Sequence, residues 1–255
     1  MKMDEHFIEL INKIKKLNEM KEQLAKLQAL ELQQRTAIIV EPRKHRALSF
    51  VLRNILENLD DTWKIQIYHG TKNQNFVEEI IAGELFPYTS RISLVNLNLE
   101  NLGSAEEYSR LLMSSEFISR IPTELFLIFQ TDSMINSRYK DLIHTFLGYD
   151  YVGAPWKSGL VGNGGFSFRR RSKMLECIKS GVSYNHEDMY YSNPANNLHK
   201  PSAELAALFS IETVYSKVFF GVHNAWKYHT PEIVKEMCSN CPGLSMLIQL
   251  QSVIE

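Results

Sequence analysis

The N-terminal stretch carries apolar residues at Phe7, Leu10, Ile14, Leu17, Met20, Leu24, Leu27 and Leu30, mostly three or four apart, with Lys and Glu filling the other faces. That period predicts an amphipathic, coiled-coil-like helix over residues 1–35, clearest from residue 4, where neither proline nor glycine interrupts it. Lys21 and Gln28 break a strict heptad. A helix of this length must bury its stripe, either on its own domain or against a partner. A homodimer through residues 4–35 is one expectation.

The pattern then changes to short apolar runs separated by helical periods. Residues 36–40, 63–68, 91–95 and 126–129 read as strands, and 46–59, 75–81 and 106–119 as helices. This alternation implies βαβ crossovers and a mostly parallel sheet, hence an α/β domain over residues 36–255. Beyond residue 150 the alternation degrades. A short strand is expected at 151–156, a glycine-rich turn entering a strand at 162–168, helices at 172–180 and 202–208, and a late strand at 218–223. The stretch 181–203, rich in Asn, Ser, Pro, Tyr and His, reads as a loop of the long kind that often carries function. No internal repeat is visible.

Composition narrows the class. Of 255 residues, 44% are hydrophobic and 22% charged, with a formal net charge of −1. This is a soluble globular balance with no global electrostatic case for nucleic acid or membrane partners. No secretory signal and no run long enough to span a bilayer are present, which predicts a cytoplasmic protein. Three cysteines, Cys177, Cys238 and Cys241, are too few for a disulfide framework, and the lone CxxC lacks two further zinc ligands.

Five features could carry chemistry. The apolar run 126–129 ends in Gln130-Thr131-Asp132, so Asp132 is placed at the tip of a buried parallel strand, where α/β sheets bind ligands. A carboxylate there can hold Mn²⁺ or Mg²⁺ against a phosphate-bearing substrate; it can also simply cap a turn. An Asp-x-Asp pair would be expected for such a metal, yet the position two residues on is Met134. Gly162-Asn163-Gly164-Gly165 can cradle a sugar or phosphate, or form a tight hairpin. Glu187-Asp188 could remove a hydroxyl proton, or be an ordinary surface pair. His223 could complete a metal site, and Trp156 could stack on a sugar ring or fill the core.

These features share their order with a known family. Val40-Glu41-Pro42-Arg43, the run 127–133, the run 149–156, the run 161–169, Glu187-Asp188 and Gly221-Val222-His223 resemble a glycosyltransferase-like domain family of large DNA viruses, fungi and plants, mostly of unassigned function. The similarity covers about residues 36–228 and leaves the N-terminal helix outside. It implies a GT-A fold, with a Rossmann-like nucleotide-binding half joined to an acceptor-binding half. It also implies sugar transfer from a nucleotide-sugar donor to a glycan, protein or small hydroxyl acceptor, with inversion and metal assistance. Under the resemblance, Glu41, Pro42, Arg43, His69, Gly70, Gln130, Thr131, Asp132, Gly164 and Gly165 would contact the donor, and Trp156 and Asn163 the sugar or acceptor. Asp132 and His223 would hold the metal, and Asp188 or Glu187 would be the base. A viral member would act in the host cytoplasm. The alternative is a non-catalytic sugar- or nucleotide-binding module that assembles through its helix.

Overall fold

The computed structural model describes residues 5–31, 33–179 and 186–251. The chain divides into two units, Met1–Gln33 and Gln34–Glu255. The first is the helix α1 (Glu5–Glu31). Its described apolar positions Ile14, Leu17, Met20 and Leu24 are 50–57% exposed.

In the second unit, the apolar runs form a six-stranded sheet ordered β3-β2-β1-β4-β7-β6. β1 (Arg35–Val40) is buried along its whole length, so it sits at the centre. It pairs in parallel with β2 (Trp63–His69) on one side and with β4 (Leu125–Ile128) on the other. β3 (Ile92–Asn96) extends the parallel part beyond β2. β7 (Ser167–Arg170) and β6 (Tyr151–Val152) continue past β4 in antiparallel pairing. The crossovers are α2 (Leu48–Asn58), whose buried face is Leu48, Val51, Leu52, Ile55 and Leu56, and α3 (Gln74–Ala82). A helix buries such a stripe against the sheet because its period is 3.6 residues.

The segment between β3 and β4 departs from the expected single helix. It folds as α4 (Ala105–Leu112) and α5 (Ser115–Ser119), because the Ser114 hydroxyl caps a new start by accepting from the Phe117 N–H. Residues after 170 form α6 (Arg171–Lys179). The expected loop at 181–203 contains α7 (Glu187–Ser192), with Tyr190 and Tyr191 buried; residues 180–185 lie outside the described part.

A second, three-stranded sheet takes in the late strand expected at 218–223, shortened to three residues, and adds two strands that were not legible in the sequence. It is ordered β5-β9-β8, from β5 (Ser133–Ile135), β8 (Ser210–Ile211) and β9 (Gly221–His223). α8 (Ala203–Phe209) leads into β8, and α9 (Pro231–Asn240) and α10 (Leu244–Gln251) close the fold. No helix among the described residues is long and apolar enough to cross a membrane.

Candidate active site

Parallel strands 1, 2 and 3 run outward on one side of β1, and the chain then returns to place β4 on the other side. The gap beyond the carboxyl ends of β1 and β4 is thus a topological switch point, where α/β sheets bind ligands. A cavity of about 340 Å³ lies there, walled by Glu41, Pro42 and Arg43 after β1 and by Gln130, Thr131 and Asp132 after β4. The approach to α4 and Tyr108 close its third side.

Both turns are locked. The buried Glu41 carboxylate accepts from the Arg43 backbone N–H at 2.9 Å and from its Nε and Nη2 at 2.8 Å each. Asn73 donates to the Glu41 and Arg43 carbonyls at 2.8 and 2.9 Å, and accepts from the Gly70 N–H at 2.8 Å. His69 donates from Nδ1 to the Gly70 carbonyl. Gly70 packs so closely on Pro42 that an added Cβ would lie 2.9 Å from the proline Cβ. His69 and Gly70 therefore support the Glu41 turn from behind and are not part of the cavity wall. On the other side, the Ser133 hydroxyl accepts from the Gln130 N–H and donates to the Gln130 carbonyl, both at 2.9 Å. The Asn224 N–H donates to the Asp132 carbonyl at 3.0 Å.

The register of the small sheet then gathers the titratable groups. Ser133 faces His223 across β5 and β9, while Ile211 pairs with Val222 across β8 and β9. Asp132 and Glu212, each one residue outside its strand, thus arrive on either side of the His223 ring. His223 Nδ1 lies 3.0 Å from Glu212 Oε1, and Nε2 lies 3.1 Å from Gln130 Oε1 and 3.4 Å from Asp132 Oδ1. Asn163 donates to the same Glu212 oxygen at 2.9 Å. Burial alone would depress the imidazole pKa; Asp132 and Glu212 outweigh it and raise the value to about 9. For Asp132, burial pushes upward, but the His223 charge and hydrogen bond leave the carboxyl below its ordinary value.

Met134, the position expected to carry a second acid, is 1% exposed on β5 opposite Val222. Strand alternation turns it into the core. The residue two positions before Asp132, Gln130, faces the cavity instead.

The glycine-rich turn has a local reason. A Cβ on Gly164 would lie 2.0 Å from Glu187 Oε1, and one on Gly165 would lie 2.2 Å from His223 Nε2. The space that side chains would fill there is taken by this chain's own carboxylate and imidazole. Asn163 likewise spends its amide on Glu212 and its carbonyl oxygen on the Gly165 N–H.

Glu187 differs from the expected proton acceptor. Arg169 Nη2 lies 3.0 Å from both of its oxygens, and both side chains are buried. The guanidinium is held between the Tyr151 and Tyr191 rings, 5.2 and 5.3 Å from their centroids. A carboxylate engaged in this way anchors the first turn of α7. Asp188 beside it is partly exposed, with Oδ1 accepting from the Met189 N–H. Asp188 and Trp156 do not line the cavity beside Asp132. Trp156 belongs to a hairpin turn, its N–H bonded to the Leu160 carbonyl.

Sequence reasoning missed Glu212 and Tyr108, and did not foresee that Arg169 is buried against Glu187. Tyr108 lines the cavity, and its buried hydroxyl, beside Gln130, makes no hydrogen bond of standard geometry. The α4 N-terminus next to it is already capped, with Ser104 accepting from the Glu107 N–H and Glu107 accepting from the Gly103 N–H.

The family resemblance noted in the sequence implies a divalent ion at Asp132. Among the described residues no three His, Cys, Asp or Glu side chains converge on one point. The local donors nevertheless suit the ion. The Asp132 carboxylate lines the cavity, and behind it His223 has Nε2 against Asp132 and its other ring nitrogen held by a carboxylate, the arrangement that orients metal-binding histidines.

The architecture is that of the GT-A fold. By sequence, the chain belongs to the family described as "Protein of unknown function (DUF5672)", whose model matches residues 91–226. That range contains Asp132, the glycine turn, Glu187-Asp188, Glu212 and His223, but not the Glu41 turn. No curated protein matches the chain. Among solved structures, it is similar to the glycosyltransferase GlyE of Streptococcus pneumoniae TIGR4, with a TM-score of 0.53, 11% identity, and coverage of 87% of this chain and 61% of GlyE. It is also similar to the galactosyltransferase LgtC in complex with donor and acceptor sugar analogues, with a TM-score of 0.52, 10% identity, and coverage of 88% and 98%. For the mannosyltransferase PcManGT of Pyrobaculum calidifontis, solved with GDP-Man and Mn²⁺, the TM-score is 0.47 at 12% identity, over 66% of this chain and 54% of that one. The chain thus spans little more than half the length of GlyE and PcManGT. At these identities the likeness establishes the fold.

Proposed function

We propose that the protein is an inverting glycosyltransferase that moves a sugar from a nucleoside-diphosphate donor to a hydroxyl acceptor. The observation that carries this reading is the cavity at the β1/β4 switch point, with the locked Glu41-Pro42-Arg43 turn on one wall and Gln130 and Asp132, backed by His223, at the other. The donor's nucleoside lies against the Glu41 turn, and its diphosphate reaches toward Asp132. Asp132, with His223 behind it, would hold a divalent ion, which would supply positive charge for the departing diphosphate. Asp188 takes the acceptor hydroxyl proton as the new oxygen–carbon bond forms at the anomeric carbon and the bond to the diphosphate breaks. The Arg169–Glu187 pair holds the first turn of α7, and with it Asp188, in place. The protein also assembles as a homodimer, each α1 covering the other's stripe.

The test is a panel of UDP- and GDP-sugars with and without Mn²⁺. One donor is expected to raise the melting temperature through binding linkage and to be turned over. Asp188→Asn is expected to lower turnover by roughly 10²–10⁴-fold, the usual contribution of a general base, with donor binding unchanged. A panel without stabilisation or sugar release overturns the reading.

A further inference from the structure

The third wall of the cavity carries a polar group with nothing in the protein to bond. Tyr108 lines the cavity from α4, with its hydroxyl beside Gln130, another lining residue. Its position is fixed from both ends of the helix. At the start, the Ser104 carbonyl accepts from the Tyr108 N–H at 3.2 Å, and the Ser104 hydroxyl caps the turn by accepting from the Glu107 N–H. At the end, the Tyr191 hydroxyl of α7 donates to the Leu112 carbonyl at 3.1 Å. The ring packs against the apolar cluster that contains Tyr68, Phe117 and Ile118. A capped helix and a packed ring leave the hydroxyl little freedom to seek a partner elsewhere.

That hydroxyl is buried and makes no hydrogen bond of standard geometry. Burial raises its pKa, so the group stays an O–H donor at physiological pH. The carboxylates whose charge reaches it are committed elsewhere: Asp132 faces His223 Nε2 at 3.4 Å, and Glu187 is held by Arg169 at 3.0 Å. Glu41, on another wall of the cavity, is held by Arg43 at 2.8 Å. Gln130 turns its Oε1 to His223 Nε2 at 3.1 Å, which leaves its amide N–H groups as donors. A phenylalanine would fill the same space without the cost of burying an unpaired hydroxyl. The missing acceptor therefore belongs to a ligand. Two donors on one wall, the Tyr108 O–H and the Gln130 amide, suit an oxygen that can only accept, and a charged oxygen binds such donors about twice as strongly as a neutral one.

We propose that Tyr108 is a ligand-contacting residue whose hydroxyl donates to the second phosphate of a nucleoside diphosphate, and so distinguishes a diphosphate from a monophosphate. The inference rests on the nucleoside-diphosphate reading above and adds a specificity-determining residue to it. A nucleoside seated on the Glu41 turn brings its second phosphate to the end of the cavity where Tyr108, Gln130 and Asp132 meet; a monophosphate stops short. The contact comes from neutral donors fixed by α4 and β4, so it does not depend on a divalent ion.

The experiment compares the full wild-type chain with Tyr108→Phe by isothermal titration calorimetry against UDP, UMP, GDP, GMP and inorganic pyrophosphate, together with the melting temperatures of the two unliganded proteins. Tyr108→Phe is expected to weaken binding of the preferred nucleoside diphosphate by roughly 10–100-fold, the usual worth of a hydrogen bond to a charged oxygen. The affinity for the matching monophosphate is expected to stay the same. The unliganded variant is expected to melt at or above the wild-type temperature, because no internal hydrogen bond is lost; a hydroxyl with a structural partner would lower it on removal. A lower melting temperature, an unchanged diphosphate affinity, or an equal loss for mono- and diphosphate overturns the proposal and leaves the transferase reading standing. Pyrophosphate bound by wild type and weakened in Tyr108→Phe, with no nucleotide bound by either, would instead sink the transferase reading and leave the phosphate contact of Tyr108 standing. A wild-type chain that binds none of the five probes overturns both.

Discussion

At the scale of single residues, the imidazole of His223 concentrates the energetics. Its folded pKa is raised to about 9 from an ordinary 6.5. A group raised in this way contributes stability that is complete below about pH 6.5 and is lost as the pH rises through about 9, because the folded state then loses a proton it held more tightly than the unfolded chain did. At about 1.4 kcal/mol per pKa unit, the loss is on the order of 3 kcal/mol. Asp132 acts in the opposite sense. Its lowered pKa contributes stability above its ordinary value, lost as the pH falls through the depressed one. In metal-free buffer with EDTA, wild-type protein is therefore expected to lose stability between about pH 6.5 and 9, measured by urea unfolding. His223→Gln is expected to remove most of that slope. A wild-type slope equal to the variant's would mean that His223 is not held between two carboxylates. Asp132 and His223 were legible as a strand-tip acid and a strand-end histidine. Glu212 was not, because nothing in Ser210-Ile211-Glu212 announces a two-residue strand, and only the parallel register with β9 brings it level with His223. Tyr108 was equally hidden, since one aromatic on an amphipathic helix reads as core.

At the scale of elements, the glycine turn shows what local pattern can and cannot convey. Three glycines in four positions announce a close approach, and the close approach is real. The approaching groups are Glu187 and His223, which no local reading could supply. The same holds for the helix expected at 106–119, where the apolar period runs on but the Ser114 cap ends one helix and starts another. Of the small sheet only the strand at 218–223 was legible, because strands of two or three residues such as β5 and β8 carry no period; the large sheet was legible because its parallel strands are continuous apolar runs. Gly165→Ala tests the close approach. The new Cβ would lie 2.2 Å from Nε2, 2.4 Å from Cε1 and 2.7 Å from Cδ2 of His223, so the ring must shift away from Gln130 and Asp132. Such overpacking costs about 1–3 kcal/mol, or roughly 2–12 °C in melting temperature for a domain of this size. The variant is also expected to weaken the alkaline stability slope seen in wild type. Gly148→Ala is the control, since a Cβ there meets nothing within 4 Å. Equal melting temperatures for the two variants would show that His223 does not occupy the space beside Gly165.

At the scale of the whole molecule, the two units pose separate problems. The residues of the cleft, from Glu41 to Asp132 with His223 behind it, belong to the unit Gln34–Glu255, and α1 belongs to the other. That helix has a regular grammar. Leu10, Leu17 and Leu24 recur every seven residues, and Phe7, Ile14, Lys21 and Gln28 form the adjoining row. Leucine in one row with a β-branched residue and a single lysine in the other is the combination that favours two strands and fixes their register, at a cost in stability. Ile14, Leu17 and Leu24 are half exposed or more, so the seam is open to a second copy. Light scattering of the full chain is expected to give twice the monomer mass, and of residues 34–255 the mass of one copy. Leu17→Glu places a charge in the leucine row and is expected to give a monomer with the rest of the chain intact. Nucleotide binding should be the same in all three, because the residues of the cleft all belong to the unit Gln34–Glu255. A full chain that is monomeric at the concentrations used for binding, or a truncated chain that still dimerises, would assign the association to some other surface and leave the α1 stripe to a different partner.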